Sequence, residues 1–113
     1  IQLDKPNWPV ILMAQTLKKA GHSVVIFSGR SKATKDATRT WLNLHKIPFD
    51  VLKMRPDNKQ FKFMSDDDLK QGWLDTLFTN KEDVFAVFDD RNKVVDMWRS
   101  NGLNVFQVAE GDF

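Results

Sequence analysis

Apolar positions along the chain switch between two periods. Val24-Val25-Ile26-Phe27 is a short continuous apolar run rich in β-branched residues, the pattern of a strand buried on both faces, and Val84-Phe85-Ala86-Val87-Phe88 reads the same way. Phe49-Asp50-Val51-Leu52 and Val105-Phe106-Gln107-Val108 are weaker strand candidates. Between these runs the apolar residues recur at helical spacing. Pro9 suits an opening turn, Val10, Met13, Leu17 and Ala20 follow on one stripe, and Gly21 suits the residue after a helix end. A second helix is predicted from about Thr34 to Lys46 with Ala37, Trp41 and Leu44 on one face, closed by Ile47-Pro48. A third begins near Ser65, where Ser65-x-x-Asp68 resembles a capping box, and carries Leu69, Trp73 and Leu77. A fourth runs from about Asn92 to Ser100, with Val94, Val95 and Trp98 apolar and Asn101-Gly102 as its stop. Helices and strands alternate throughout, so the pattern predicts an α/β fold with a parallel sheet and right-handed crossovers. The longest irregular stretch is about Lys53 to Met64.

Composition narrows the picture without changing it. The chain has 113 residues, 42% of them hydrophobic and 28% charged, which is ordinary for one folded domain and excludes a disordered tail. No run approaches the roughly 18 apolar residues of a membrane helix, so no membrane partner is expected. The opening Ile1-Gln2-Leu3-Asp4-Lys5-Pro6 has neither a basic start nor an apolar core, so no leader is expected there, and a start at Ile suggests that something preceded it. Cysteine is absent, which removes disulfides and thiolate metal sites and allows a reducing compartment. Lys and Arg total 17 against 15 Asp and Glu, a balance that neither requires nor excludes a nucleic-acid partner.

In parallel α/β sheets ligands bind at the carboxyl ends of strands. Ser28-Gly29-Arg30 follows the first strong strand and offers a hydroxyl, a permissive glycine and a guanidinium, all suited to phosphoryl oxygens; it also reads as a plain βα turn. Asp89-Asp90 follows the second. Two adjacent carboxylates suit Mg²⁺, which takes hard oxygen ligands, although Asp90 also reads as a helix cap and Asp89 as solvated. Lys70 lies one turn into the third helix, where a cation opposes the helix dipole, a position that makes sense if it reaches an anionic site; a solvated lysine is the plainer alternative. The stretch from Lys53 to Lys62 holds Lys53, Arg55, Lys59 and Lys62 against Asp57, with Phe61 and Phe63 interleaved. Charge with aromatics suits single-stranded nucleic acid, while two core-anchored phenylalanines in a solvated loop is the slightly favoured alternative. His22 and His45 find no partner in the pattern, and Trp8, Trp41, Trp73 and Trp98 are expected to be core residues.

The ordered set is more specific than any member. A strand ending Ser28-Gly29-Arg30, then Lys70 at a helix start, then Asp89-Asp90 nineteen positions later, resembles motifs two to four of the haloacid dehalogenase (HAD) phosphatase superfamily. Residues 24–30, 89–99 and 106–113 resemble, in more detail, the phosphatase domain of bacteriophage-type polynucleotide kinase-phosphatases. That resemblance implies that Ser28 holds a phosphate oxygen and that Arg30, and more weakly Arg55, contact the substrate phosphate. It implies that Lys70 neutralises the transferring phosphoryl group, that Asp66 orients this constellation, and that Asp89 binds Mg²⁺ while Asp90 acts through a metal-bound water or a basic neighbour. The family removes 3′-phosphate from DNA or RNA ends, and a host-cell cytoplasm is the implied setting. An N-terminal kinase domain is an implied partner, and a homo-oligomer is among the assemblies it admits.

One departure stands out. The family's first motif, Asp-x-Asp-Gly-Thr, supplies the nucleophile and the general acid-base, and this chain does not contain it; Asp4 stands alone. In the superfamily that motif ends a central strand lying between the strands that end at Phe27 and Phe88. The chain is therefore expected to be the C-terminal part of a HAD-like domain, residues 1–113, lacking its first central strand and inactive alone. Two other readings have distinct signatures. A phosphatase of small phosphomonoesters would prefer free nucleotides, and a non-catalytic nucleic-acid-binding or assembly module would lack the first motif altogether.

Overall fold

The computed structural model describes residues 5–113, so Asp4 lies outside the described residues. The chain divides into two compact units with the boundary between Phe63 and Met64.

In the first unit, α1 (Trp8–Lys19) starts at Asn7, whose side chain accepts a hydrogen bond from the Val10 N–H at 3.4 Å. It ends at Gly21 (φ +100), with the Gly21 N–H donating to the Lys18 carbonyl (3.1 Å) and the His22 N–H to the Leu17 carbonyl (3.0 Å). Strand β1 (Val25–Ser31) pairs in parallel with β2 (Val51–Arg55), Val25 opposite Val51 and Ser28 opposite Met54. Parallel pairing needs a crossover, which α2 (Lys35–Leu44) supplies. α2 closes with the same double hydrogen bond as α1, but here Lys46 takes the left-handed conformation (φ 57). Asp50 fastens the entry to both strands. Its carboxylate accepts the Val24 N–H at 2.7 Å and pairs with Lys18 Nζ at 2.6 Å. The Lys18 hydrogen bond, then the Val24 N–H, hold the Asp50 carboxyl below its usual ionisation range. The core here is Leu42, Leu52 and Met54, flanked by Ile26, Trp41, Ile47 and Phe49.

Several details differ from the expectations. β1 runs on through Ser28-Gly29-Arg30 instead of ending at Phe27, because the pairing resumes at Ser31 opposite Arg55 after a bulge. The stretch after Lys53 is not irregular throughout: Lys53–Arg55 belongs to β2, and Lys59–Lys62 forms the one-turn helix α3. α1 buries Ile11 and leaves Trp8 and Met13 exposed, and α2 buries Thr38 and Leu42 instead of Ala37 and Leu44.

In the second unit, β3 (Val87–Asp89) pairs in parallel with β4 (Val105–Gln107) across α5 (Asn92–Ser100). α4 (Asp66–Leu77) packs on α5. Leu69, Leu74, Val94 and Val95 are almost fully removed from water, each stabilising by roughly 1.5–3 kcal/mol. α5 stops at Gly102 (φ +80), as expected from Asn101-Gly102, and Leu103 and Trp98 bury together beneath the turn. Ser65 stands at the start of α4, but its side chain caps nothing there, so the capping-box reading does not hold. Asp66, Asp67 and Asp68 in the first turn complement the helix dipole instead. Val84 and Phe85 lie outside the strand, since β3 extends only where β4 lies opposite it, and Phe85 is exposed. The pairing expected in one sheet occurs in two separate parallel pairs, β1–β2 and β3–β4.

Candidate active site

In the first unit the β1 bulge carries Ser28 and Arg30. Ser28 is 3% exposed, and its Oγ accepts the Arg30 N–H at 3.2 Å. The hydroxyl thus shapes the bulge, and its own proton goes to no acceptor among the described residues. Arg55 is committed to the backbone: Nε donates to the Gly29 carbonyl at 2.9 Å and Nη1 to the Phe61 carbonyl at 2.6 Å. It therefore braces the Ser28–Arg30 bulge against α3. The structure brings Ser28, Arg30 and Arg55 together around one backbone feature.

In the second unit the end of β3 gathers charge. Lys70 projects from α4 with 7% exposure, its Nζ 3.9 Å from Asp89 Oδ2. Asp89 Oδ1 accepts the N–H groups of Asp90 (2.8 Å) and Arg91 (3.4 Å), and Oδ2 accepts the Trp98 indole N–H at 3.0 Å. Burying an ammonium is costly unless a carboxylate answers it, so Lys70 is no solvated surface lysine. Asp66 Oδ2 accepts from Arg91 Nη1 at 2.7 Å. Asp90 is exposed, and its backbone carbonyl accepts from the Gln107 amide at 3.1 Å. Asp67 Oδ1 meets Lys93 at 3.4 Å. Burial pushes the Asp67 carboxyl up, but the Ser65 hydroxyl, its own N–H and Lys93 together outweigh that and hold it low.

Three partners escaped the sequence reading. Arg91 binds Asp66, Trp98 orients Asp89, and Gly111 lets the final segment cross the β3 end. A Cβ at Gly111 would fall 2.8 Å from the Asp90 carbonyl oxygen and collide with the Phe113 ring. The Asn92 N–H donates to the Gly111 carbonyl at 2.6 Å, and the Asn92 side-chain oxygen accepts from Gln107 at 2.6 Å. Arg91 directly follows the acidic pair, a juxtaposition that could have marked it. Trp98 gave no signal beyond its apolar stripe. His45 lies tilted against the rings of Trp8 (6.0 Å) and Trp41 (4.4 Å).

Among the described residues no three His, Asp or Glu side chains converge to enclose a metal ion. The donor chemistry nevertheless suits a hard cation that keeps most of its waters. Asp90 is exposed, and Asp89 Oδ2 has one N–H donor, which leaves a lone pair.

The family described as "Polynucleotide kinase PNKP phosphatase domain" matches residues 1–113. The chain belongs to this family, a branch of the HAD-like phosphatases. It is 34% identical over 112 residues to a protein of Autographa californica nuclear polyhedrosis virus assigned as a bifunctional polynucleotide kinase/RNA ligase. The match covers 94% of this chain and 15% of that protein. The bacteriophage part of the resemblance is not carried by this relative. Two solved structures match at TM-score 0.88 and 35% identity, the Pnkp1/Rnl/Hen1 RNA repair complex and a second Pnkp1/Rnl/Hen1 complex. Both matches cover 96% of this chain, and the chain spans 34% and 37% of those chains. HAD-family phosphatases generally use Mg²⁺.

Proposed function

We propose that residues 1–113 form the C-terminal part of a single HAD-like, Mg²⁺-dependent domain that removes 3′-phosphate from polynucleotide ends during repair. The observation that carries this is the buried Lys70–Asp89 pair at the end of β3, held 3.9 Å apart in a chain of the PNKP phosphatase family. The net reaction consumes one water: the phosphorus–oxygen bond to the 3′ oxygen breaks, a new phosphorus–oxygen bond forms to the water oxygen, and the products are a 3′-hydroxyl and inorganic phosphate. The family resemblance gives Ser28 the role of holding a phosphate oxygen and Arg30 that of contacting the substrate phosphate, and the Ser28 hydroxyl proton meets no acceptor among the described residues. Lys70 stabilises charge developing on the phosphoryl group, as a preorganised cation in a water-poor site can. Asp66 fixes Arg91, and Trp98 fixes Asp89, so that both carboxylates keep their orientation. Asp89 and Asp90 would hold the Mg²⁺, which neutralises phosphate charge when bound. Arg55, the weaker substrate contact of the resemblance, braces the bulge through Nε and Nη1. The nucleophile and general acid-base of the family's first motif are absent from these 113 residues, which are inactive by themselves in this reading.

The similar Pnkp1/Rnl/Hen1 assembly is an RNA repair complex, which favours RNA ends as substrate. The test is phosphate release from 3′-phosphorylated RNA and DNA oligonucleotides by the full natural polypeptide carrying this chain, with Mg²⁺ and with a chelator. Turnover that needs Mg²⁺ and prefers oligonucleotides to free 3′-nucleotides is expected. Equal turnover of free nucleotides would favour the small-substrate reading, and turnover by the 113 residues alone would overturn the dependence on the first motif.

A further inference from the structure

Phe63 closes α3 and is 89% exposed, far from the core anchorage that an interleaved phenylalanine suggests. Its neighbourhood is cationic. Lys62 Nζ lies 5.5 Å from the ring centroid, and Lys59 and Lys62 are both exposed on the single turn of α3. That turn is capped and tied to the strand. The Asn58 side chain accepts the Phe61 N–H at 3.3 Å, and the Arg55 guanidinium ties the Phe61 carbonyl to the Gly29 carbonyl in the β1 bulge. One arginine thus couples an exposed aromatic and two lysines to the backbone between Ser28 and Arg30.

We infer that Phe63, Lys59 and Lys62 form a ledge for single-stranded nucleic acid, on which a base upstream of the 3′-phosphate stacks against the Phe63 ring while the two lysines answer backbone phosphates. The inference rests on the proposed function for its substrate and deepens it by naming the element that distinguishes a polynucleotide from a mononucleotide. The physical reasons are general. Any base offers a π-face to an exposed ring, stacking tolerates sequence, and lysines flanking the ring supply charge without base specificity. The backbone that carries the ring is already ordered by its cap and by Arg55, so a base landing on the ring need not order it.

The experiment uses the full natural polypeptide and a 5′-fluorescein-labelled, 3′-phosphorylated RNA tetranucleotide. Binding is read by anisotropy in chelator, where no turnover is needed. Phe63→Ala should weaken binding about tenfold, and Phe63→Trp should restore it, as expected for stacking. Lys59→Gln with Lys62→Gln should lower the slope of log affinity against log salt by about 1.4, at about 0.7 per single-strand phosphate contact. With Mg²⁺, the ratio of kcat/KM on the tetranucleotide to that on the 3′-mononucleotide should fall about tenfold in Phe63→Ala. Unchanged binding by Phe63→Ala would overturn the ledge even if the wild type releases phosphate. A wild type that binds through Phe63 but releases no 3′-phosphate would overturn the proposed function and leave the ledge standing.

Discussion

The two units use polar residues in opposite ways. Around the β1 bulge, the Ser28 oxygen accepts a backbone N–H and Arg55 donates to two backbone carbonyls, so the first unit shapes a loop. At the end of β3, Asp89 faces Lys70 and Trp98, and Asp66 pairs with Arg91, so the second unit sets side chain against side chain and answers the buried Lys70 charge. Backbone bracing tolerates a changed charge as long as the loop keeps its course. A buried charge set does not, because removing one member strands the others. Substitutions in the second unit should therefore fall on chemistry first, and those in the first unit on conformation.

The largest expected effect tests that contrast at its charged end. Lys70→Met keeps the length and apolar stem of the side chain and removes the charge. The full polypeptide should lose about 10²–10³-fold in kcat, the scale of losing one preorganised stabiliser of transition-state charge. Steady-state phosphate release checks it, and a loss below tenfold would break the comparison. Next comes Gly111→Ala, whose methyl group must displace the Asp90 carbonyl at 2.8 Å. It should destabilise by about 1–3 kcal/mol in urea melts, as overpacking does. A smaller effect of opposite sign is expected in the first unit. Lys46→Gly relieves a left-handed conformation (φ 57) and should stabilise by about 1 kcal/mol, measured by denaturant midpoint. The smallest effect belongs to Asp50, which is exposed to solvent. Its folded-state ionisation lies below that of the unfolded chain, so its contribution is complete above about pH 4 and is lost as pH falls through the lowered value. Thermal melts of Asp50→Asn should thus differ from wild type at pH 7 and converge with it in acid.

Much of the frame was legible in the chain because its signals are local. Gly21 and Gly102 end helices by a conformation that glycine adopts readily, and Val94, Val95 and Trp98 mark the buried face of α5. The stop of α2 was marked by Ile47-Pro48, but its left-handed residue was not, since a lysine at 46 carries no compositional mark of such a turn. Misread features depended on what lies opposite. β1 continues through Ser-Gly-Arg because β2 pairs again beyond the bulge, and β3 begins only at Val87 because β4 begins at Val105. The faces of α1 and α2 were misjudged for the same reason: Thr38 is buried and Leu44 exposed according to their neighbours, not their polarity. At the site, strand-end residues were readable one by one. Their partners were not, since Asp66 meets Arg91 across 25 positions and Asp89 meets Trp98 across nine.

The most direct test of the account compares wild type with Asp89→Asn in the full polypeptide, measuring phosphate release from a 3′-phosphorylated RNA oligonucleotide in Mg²⁺ alongside the melting temperature. Asparagine's oxygen can still accept the Asp90 and Arg91 N–H groups, but its amide nitrogen replaces the oxygen that accepts the Trp98 indole N–H, and the buried Lys70 loses its counter-charge, so the account predicts a lowered melting temperature and, below it, activity reduced about 10²-fold. Activity within a few-fold of wild type would contradict it, and would make Asp89 a structural acceptor for the β3 turn and the Trp98 indole, with no part in the chemistry.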